Sequence, residues 1–582
     1  MDTPPRSAPS GSLPDLIFAD GMESPPMDPV LPPLAVRVLN KCAYGPRPGD
    51  VAAFNALGPT DDLRLATWVD RQLDPGSISD SACDNRIASG GYATINLTLA
   101  QMWATYVRGS QASGNERYWP CDEAACLKLV RAVYSERQLF EVMVDFWHNH
   151  FNVTGWEYSI APVFMHYDRD VMRNAHPTSG KRYALGNFRA LLEEVAKAPA
   201  MLMFLDNKSN RTSGPNENFA RELCELHTLG AAHYYPGVDP ELVPVDEQGK
   251  PLGYCDWDVY QAASAFTGWT MRDAHWNFPN LPEYDTGEYL YYAPWHDGNK
   301  GQYFLGGFIL PNRPAEVAGK TVLDRLCQHI GTARNICRKL CRRFIADDPP
   351  ADLIESAAQL WKAQWQAPDQ IAQVLRHILN STAFKTTWGE KTKRPWEALM
   401  QAFRATSANI TPKPRTATWN SYSELTSLFQ QTGHGPFRWP TPDGYPDHSR
   451  KWQAVSPLSQ TWRVLSRLPE LRVPGGDENS PAAYFLRIEE VSRAQFPTPA
   501  VATAGAVVDF WINRIHGHQI ASERRDEIVC FLGQRTDPAQ AATVQLTWDN
   551  VWNSGDLSKH YTLPRLRATV ALVAMCPEFY QR

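Results

Sequence analysis

Asn216-Glu217-Asn218-Phe219-Ala220-Arg221-Glu222-Leu223-Cys224-Glu225-Leu226-His227-Thr228-Leu229-Gly230 reads as one helix. Pro215 and Asn216 mark its start, and Gly230 stands where a left-handed C-terminal stop is expected. At about 100° per residue, Asn218, Arg221, Glu222 and Glu225 share one face, and Phe219, Leu223 and Leu226 form the adjacent flank. An apolar flank beside a narrow polar stripe predicts a helix packed among other helices. The stripe itself has two readings. It is a buried ion-pair network with Arg221 bridging Glu217 or Glu225. Or Glu222 and Glu225 act chemically, as metal ligands or as a carboxylate pair in which one pKa is pushed up.

The same helical period recurs on both sides of this stretch. It predicts helices over 34–39, 61–73, 187–205, 256–268, 315–345, 351–364, 368–381 and 393–407, and again over 503–515, 522–533, 538–545 and 562–575. The longest periodic run, 123–151, is divided at Ser135, which with Gln138 has the spacing of a capping box. Residues 270–312 and about 431–456 lack the period and are rich in Gly, Pro and aromatic residues. Strand-like alternation is scarce. The fold class is therefore mainly α, a large irregular helical domain over 34–582 with long loops and a few short strands. Residues 1–33 are rich in Pro and Ser and read as a flexible leader.

Bulk properties exclude several classes. The chain has 582 residues and a formal net charge of −6, with no basic clustering of the kind a nucleic-acid backbone selects. No apolar run reaches the roughly 18 to 20 residues of a membrane span. The eleven cysteines show no C-x-x-C pairing, so they read as core or free thiols first and as one or two disulfides second. G-x-G-x-x-G after a strand, a Walker-type loop, H-E-x-x-H and G-x-S-x-G are all missing.

A second stretch carries chemistry. In Glu141-Val142-Met143-Val144-Asp145-Phe146-Trp147-His148-Asn149-His150-Phe151, Glu141, Asp145 and His148 fall on one helical face. Asp145 and His148 have the carboxylate-x-x-histidine spacing used in bundle metal sites. His150 would point nearly opposite His148 if the helix continued, so both could bind one ion only if it ended near Asn149. The alternative is a histidine pair bonded to backbone or to neighbouring carboxylates. Glu193 and Glu194 read as a solvated helix face. In Trp295-His296-Asp297-Gly298-Asn299-Lys300, the His-Asp pair is either an added ligand set or an Asx-type turn. The Gly433–Asp447 loop, with His434, Trp439 and Tyr445, can wall a pocket, stack on sugars or simply stiffen the chain.

Taken together these stretches resemble a bacterial family known as domain of unknown function number 1800. The resemblance rests on Leu39–Gly45, Phe146–Phe151, Gly186–Arg189, Pro199–Leu202, the Asn216–Gly230 helix and Phe266–Trp269. It continues through His296-Asp297-Gly298 with Lys300 and Leu305-Gly306, then Lys393–Pro395, Gly433–Asp447 and Cys576–Phe579. It implies one family-wide domain and marks His148, His150, Asn216, Glu217, Arg221, Glu222, Glu225, His296 and Asp297 as recurrent polar positions. It also implies export to the periplasm or beyond, and a nearby-encoded partner resembling phosphatases and sulfatases. No signal peptide is visible in the sequence. Leu13–Ser24 is similar to a segment that recurs in exported proteins of some Gram-negative bacteria.

The expected function is thus a metal-dependent enzyme, a hydrolase first and an oxidoreductase second, with its site between the 138–150 and 216–229 helices under the 270–312 loop. His148, His150, Glu222 and His296 would hold a divalent ion (Zn, Mn or Fe), and Arg221, Glu225 and Asp297 would serve catalysis. The alternative is a non-catalytic envelope or extracellular protein that binds glycan or protein, with a structural ion-pair network.

Overall fold

The helix at Asp61–Leu73 begins as its sequence dictates: the Thr60 side chain accepts the Leu63 amide, and Asp61 and Asp62 sit in the positive first turn. In the computed structural model, which describes residues 31–296, 298–414, 418–476, 480–549, 555–556 and 559–582, the chain is 57% helical and 6% strand, with about 21 substantial helices. Residues 1–30, including the Leu13–Ser24 stretch, lie outside the described residues, as does Asp297.

The 123–151 run divides where predicted, into Trp119–Tyr134 and Gln138–His150. Ser135 and Gln138 make the break, though not as a capping box. The Ser135 hydroxyl donates to Asp80 and accepts the Arg137 amide, while the Gln138 amide donates to the Ser135 carbonyl. Two predicted helices are interrupted. Pro199, which has no N–H to continue a helix, restarts 187–205 as Phe188–Lys197 and Pro199–Phe204. His329, whose ring accepts the Gly331 amide, divides 315–345 into Val317–Gln328 and Ile330–Phe344. Helices at Ser421–Gln431, Val455–Arg467 and Ile488–Gln495 lie where no period was read.

The 216–230 stretch departs from a simple helix. Asn216 Oδ1 accepts the Asn218 amide, the α-helix spans Asn218–Glu222, and Leu223–His227 is a wider π turn. The turn ends at His227, and Gly230 is not the left-handed helical cap expected: it has φ +92° with ψ 152°, and its amide donates back to the Cys224 carbonyl.

The sheets are small. Trp269–Asp273 pairs antiparallel with Asp285–Tyr291, and Gln302–Phe304 with Gly307–Ile309 across a Leu305-Gly306 turn in which both residues have positive φ. Tyr234–Tyr235 pairs in parallel with Tyr254–Cys255. These 270–312 strands pack on Leu99–Trp103, Pro199–Phe204 and Asp256–Ala265.

The buried apolar side chains form one contiguous cluster reaching from Leu34 to Tyr580. The 138–150 helix runs through it with every side chain but Asn149 buried. All eleven cysteines are free thiols, ten of them buried. Among the described residues no helix is long and apolar enough to cross a membrane.

Candidate functional site

The 138–150 helix stays helical to His150, and that decides where its two histidines go. Two residues apart on a continuing helix, the rings diverge. His148 Nε2–H donates to Asp168 Oδ1 at 2.9 Å. Asp168 is gripped by Arg173 at 2.9 Å, and Arg173 also reaches Glu141 at 2.8 Å. Burial lowers the His148 pKa more than Asp168 raises it, so the ring is neutral. Burial would raise the Asp168 carboxyl, but Arg173 and His148 hold it well below the usual carboxylate range.

His150 points the other way. Lys339 Nζ donates to its Nδ1 at 3.1 Å, which places the proton on Nε2, and Nε2–H donates to the His227 carbonyl at 3.1 Å. Lys339 also donates to the Leu226 carbonyl at 3.2 Å, so one ammonium ties the end of the 138–150 helix to the π turn. Burial, with Arg342 nearby, pushes Lys339 down to about 8. His227 packs against the rings of His150 and Phe151, and burial and Lys339 take it to about 3.

The segment over the end of the 138–150 helix is the 433–447 loop, not the 270–312 loop. Asn149 and Tyr445 exchange hydrogen bonds of 2.9 and 2.7 Å, and Asn152 donates to the carbonyls of Trp439 and Thr441. Gly444 makes this approach possible: it adopts φ +73°, and a Cβ there would lie 2.1 Å from the Asn149 carbonyl oxygen. Beneath the loop, a cavity of about 20 Å³ is lined by residues from three of the quoted stretches, including His148 and Asn149, Arg394, and His434 and Tyr445. Asp145 sits there between Lys128 at 2.5 Å and Arg394 at 2.7 Å. Those cations overcome burial and keep its carboxyl well below the usual range.

On the outer side, Glu222 and Glu225 are half-buried. Burial and then Glu225 push the Glu222 carboxyl up to about 6; Arg221 pulls against them, and Asp443 of the 433–447 loop adds a smaller push. Arg221 is turned towards Glu217 at 3.3 Å, the Tyr234 hydroxyl at 3.3 Å and Asp256 at 3.6 Å. This is the Glu217 bridge of the ion-pair reading, on a partly exposed face. Trp439, half-buried, donates its indole N–H to Asp443 at 2.9 Å. Asp443 thus accepts the Trp439 indole N–H, and its charge also reaches the Glu222 carboxyl.

His296 lies elsewhere, with Nδ1 against the Thr267 hydroxyl at 2.9 Å and carbonyl at 3.1 Å and its ring near Tyr291. Glu193 is no solvated face: it pairs with Arg189 and Lys197, each at 2.7 Å.

A divalent ion does not fit these placements. His148 is committed to Asp168, and His150 carries a lysine ammonium on the nitrogen a metal would need. Among the described residues no group of three or more His, Cys, Asp or Glu is placed to hold an ion. Glu222 and Glu225 lie close enough to interact, and His150 is tied to the same turn through the His227 carbonyl and Lys339, but His148 and His296 face other neighbours. Asp168, Arg173, Lys339 and Asp443 were not singled out from sequence. Asp168 and Arg173 announce themselves only as charges inside a buried run, and Asp443 only as one residue of the Gly433–Asp447 motif.

Compared with known families, residues 37–581 match the model for a protein of unknown function, DUF1800, and the chain belongs to that family. No curated protein and no solved structure matches it.

Proposed function

We propose that this member of the DUF1800 family is an exported glycan hydrolase that works by carboxylate acid–base chemistry, with Glu222 as the proton donor. The observation that carries the reading is the Glu222 carboxyl itself. It is half-open to solvent and held near 6 by burial and Glu225, with a smaller contribution from Asp443, the carboxylate that accepts the Trp439 indole N–H.

A glycosidic oxygen leaves as an alcohol only if it is protonated, so the donor must still hold its proton near neutral pH. Glu222 meets that need, and its neighbour Glu225 is available as the base or nucleophile of the pair. Trp439 offers a ring face for stacking against a sugar. Arg221, bound to Glu217, Tyr234 and Asp256, acts as a positioning residue for the helix that carries both glutamates. No step is assigned to a metal ion. The phosphatase- or sulfatase-like protein implied by the family resemblance is proposed as a partner in the same extracytoplasmic compartment.

The test is release of reducing ends from a panel of bacterial and plant polysaccharides by the full chain. Activity should fall as pH rises through about 6. Glu222→Gln should lower kcat by about 100-fold or more, and Trp439→Ala should raise KM with a smaller effect on kcat. Equal activity of Glu222→Gln and wild type would overturn the reading. The exposed rings of Trp257, Tyr260, Tyr303 and Phe308, on a helix and the hairpin packed against it, favour a second reading, a glycan-binding protein without hydrolysis. Saturable binding with no product, unchanged in Glu222→Gln, would select it.

A further inference from the structure

Around Glu397 the protein buries more positive charge than it neutralises. Glu397 Oε1 meets Arg343 at 2.7 Å, Arg582 at 2.7 Å and Arg394 at 3.2 Å. Arg394 also shares Asp145 with Lys128. Counting side chains alone, four cations thus face two carboxylates, an excess of two. Including the neighbouring Lys391 and Lys393 with Asp347 and Asp447 leaves that excess unchanged. Arg343, Arg394 and Arg582 are 2%, 4% and 2% exposed. An uncompensated buried charge costs several kcal/mol.

The hydrogen-bond donors show the same surplus. Arg343 Nε and Nη1, Arg394 Nε and Arg582 Nε are buried without an acceptor. Lys128 directs one N–H to Asp145, and its ammonium also lies over the rings of Trp396 at 5.2 Å and Phe437 at 5.0 Å. His434 Nδ1 accepts the Trp396 amide at 3.2 Å, so the proton of the neutral ring is on Nε2, where no acceptor is found among the described residues. Lys128, Arg394 and His434 all line the cavity of about 20 Å³ beneath the 433–447 loop, which has room for one water-sized species.

We propose that this cavity is a binding site for a small monovalent anion of chloride size, held by Lys128 and His434 with Arg394 and the guanidinium cluster behind it. His148 lines the same cavity, with its Nε2–H bound to Asp168. Hydrogencarbonate, with four heavy atoms, is too large for a space that holds one water-sized species. This site is separate from the Glu222 carboxyl, and its test needs no activity.

The full chain is purified in sodium gluconate and melted at constant ionic strength while gluconate is exchanged for chloride or for hydrogencarbonate. The melting temperature should rise saturably in chloride, by about 2–4 °C, and hydrogencarbonate should not reproduce the rise. Lys128→Met, checked for folding by circular dichroism, should lose the saturable part. Crystals of the wild-type chain soaked in bromide should show an anomalous peak between Lys128 and His434. Superimposable melting in all three salts would overturn the proposal. So would bromide confined to the protein surface with a water in the cavity.

Discussion

Glu222→Gln is predicted to stabilise the protein, and to do so only at the higher end of the pH range. The folded state raises the Glu222 carboxyl from 4.5 to about 6, through burial first and then through Glu225 and Asp443. Because the folded form holds this proton more tightly than the unfolded one, stability falls as pH rises from 4.5 to about 6. Above that window the full penalty of the ionised carboxylate is present. The interval would be worth about 2 kcal/mol undiminished, and with the side chain half in solvent, screening reduces it to about 1 kcal/mol. Glutamine has no charge to bury, so it escapes the penalty. Urea denaturation of both proteins from about pH 4 to about pH 8 should show no difference at the acid end and a gain of about 1 kcal/mol for Glu222→Gln at the other. A variant less stable than wild type at neutral pH, or a difference independent of pH, would refute the reasoning, because either result means that the carboxylate is stabilised where it lies.

Glu397→Gln withdraws the carboxylate that Arg343, Arg394 and Arg582 share, so it should cost about 3–5 kcal/mol in denaturation experiments. Gly444→Ala combines a positive φ with a Cβ 2.1 Å from the Asn149 carbonyl oxygen. It should cost about 2 kcal/mol or more, and amide hydrogen exchange in 433–447 should quicken. Since His148 and His150 hold other partners, dialysis against a chelator should leave the melting temperature unchanged and elemental analysis should find no stoichiometric Zn, Mn or Fe. One bound ion per chain would contradict that placement.

What sequence reveals here follows the range of the interactions. The Asp61–Leu73 helix was legible because its cap, first-turn acids and period are all local. The break at Ser135 was legible for the same reason, although the hydrogen bonds that make it involve Asp80, far away in the chain. The π turn at Leu223–His227 was not. It is fixed by contacts such as Lys339 with the Leu226 carbonyl, 113 residues away, and no local pattern encodes them. The site divides in the same way. The pairing of Glu222 with Glu225 is a helix-wheel property and survives the π turn. The prediction that His148 and His150 would share an ion hung on where one helix ended, and Phe151 ends it one residue too late, its amide donating to the Trp147 carbonyl. From sequence, the 270–312 loop, which carries His296, was expected over the site. Asn149 and Asn152 instead draw in the 433–447 loop, and nothing in either segment alone says which will win.

The central claim is that Glu222 is a carboxylic acid poised near neutrality by Glu225 and Asp443, and a carbon-13 NMR titration of glutamate-labelled protein tests it most directly. The signal that disappears in Glu222→Gln should titrate near 6, and should move towards the ordinary value in Glu225→Gln while part of the elevation from burial remains. A Glu222 carboxyl that titrates at or below 4.5, or one that Glu225→Gln leaves unmoved, would contradict the account.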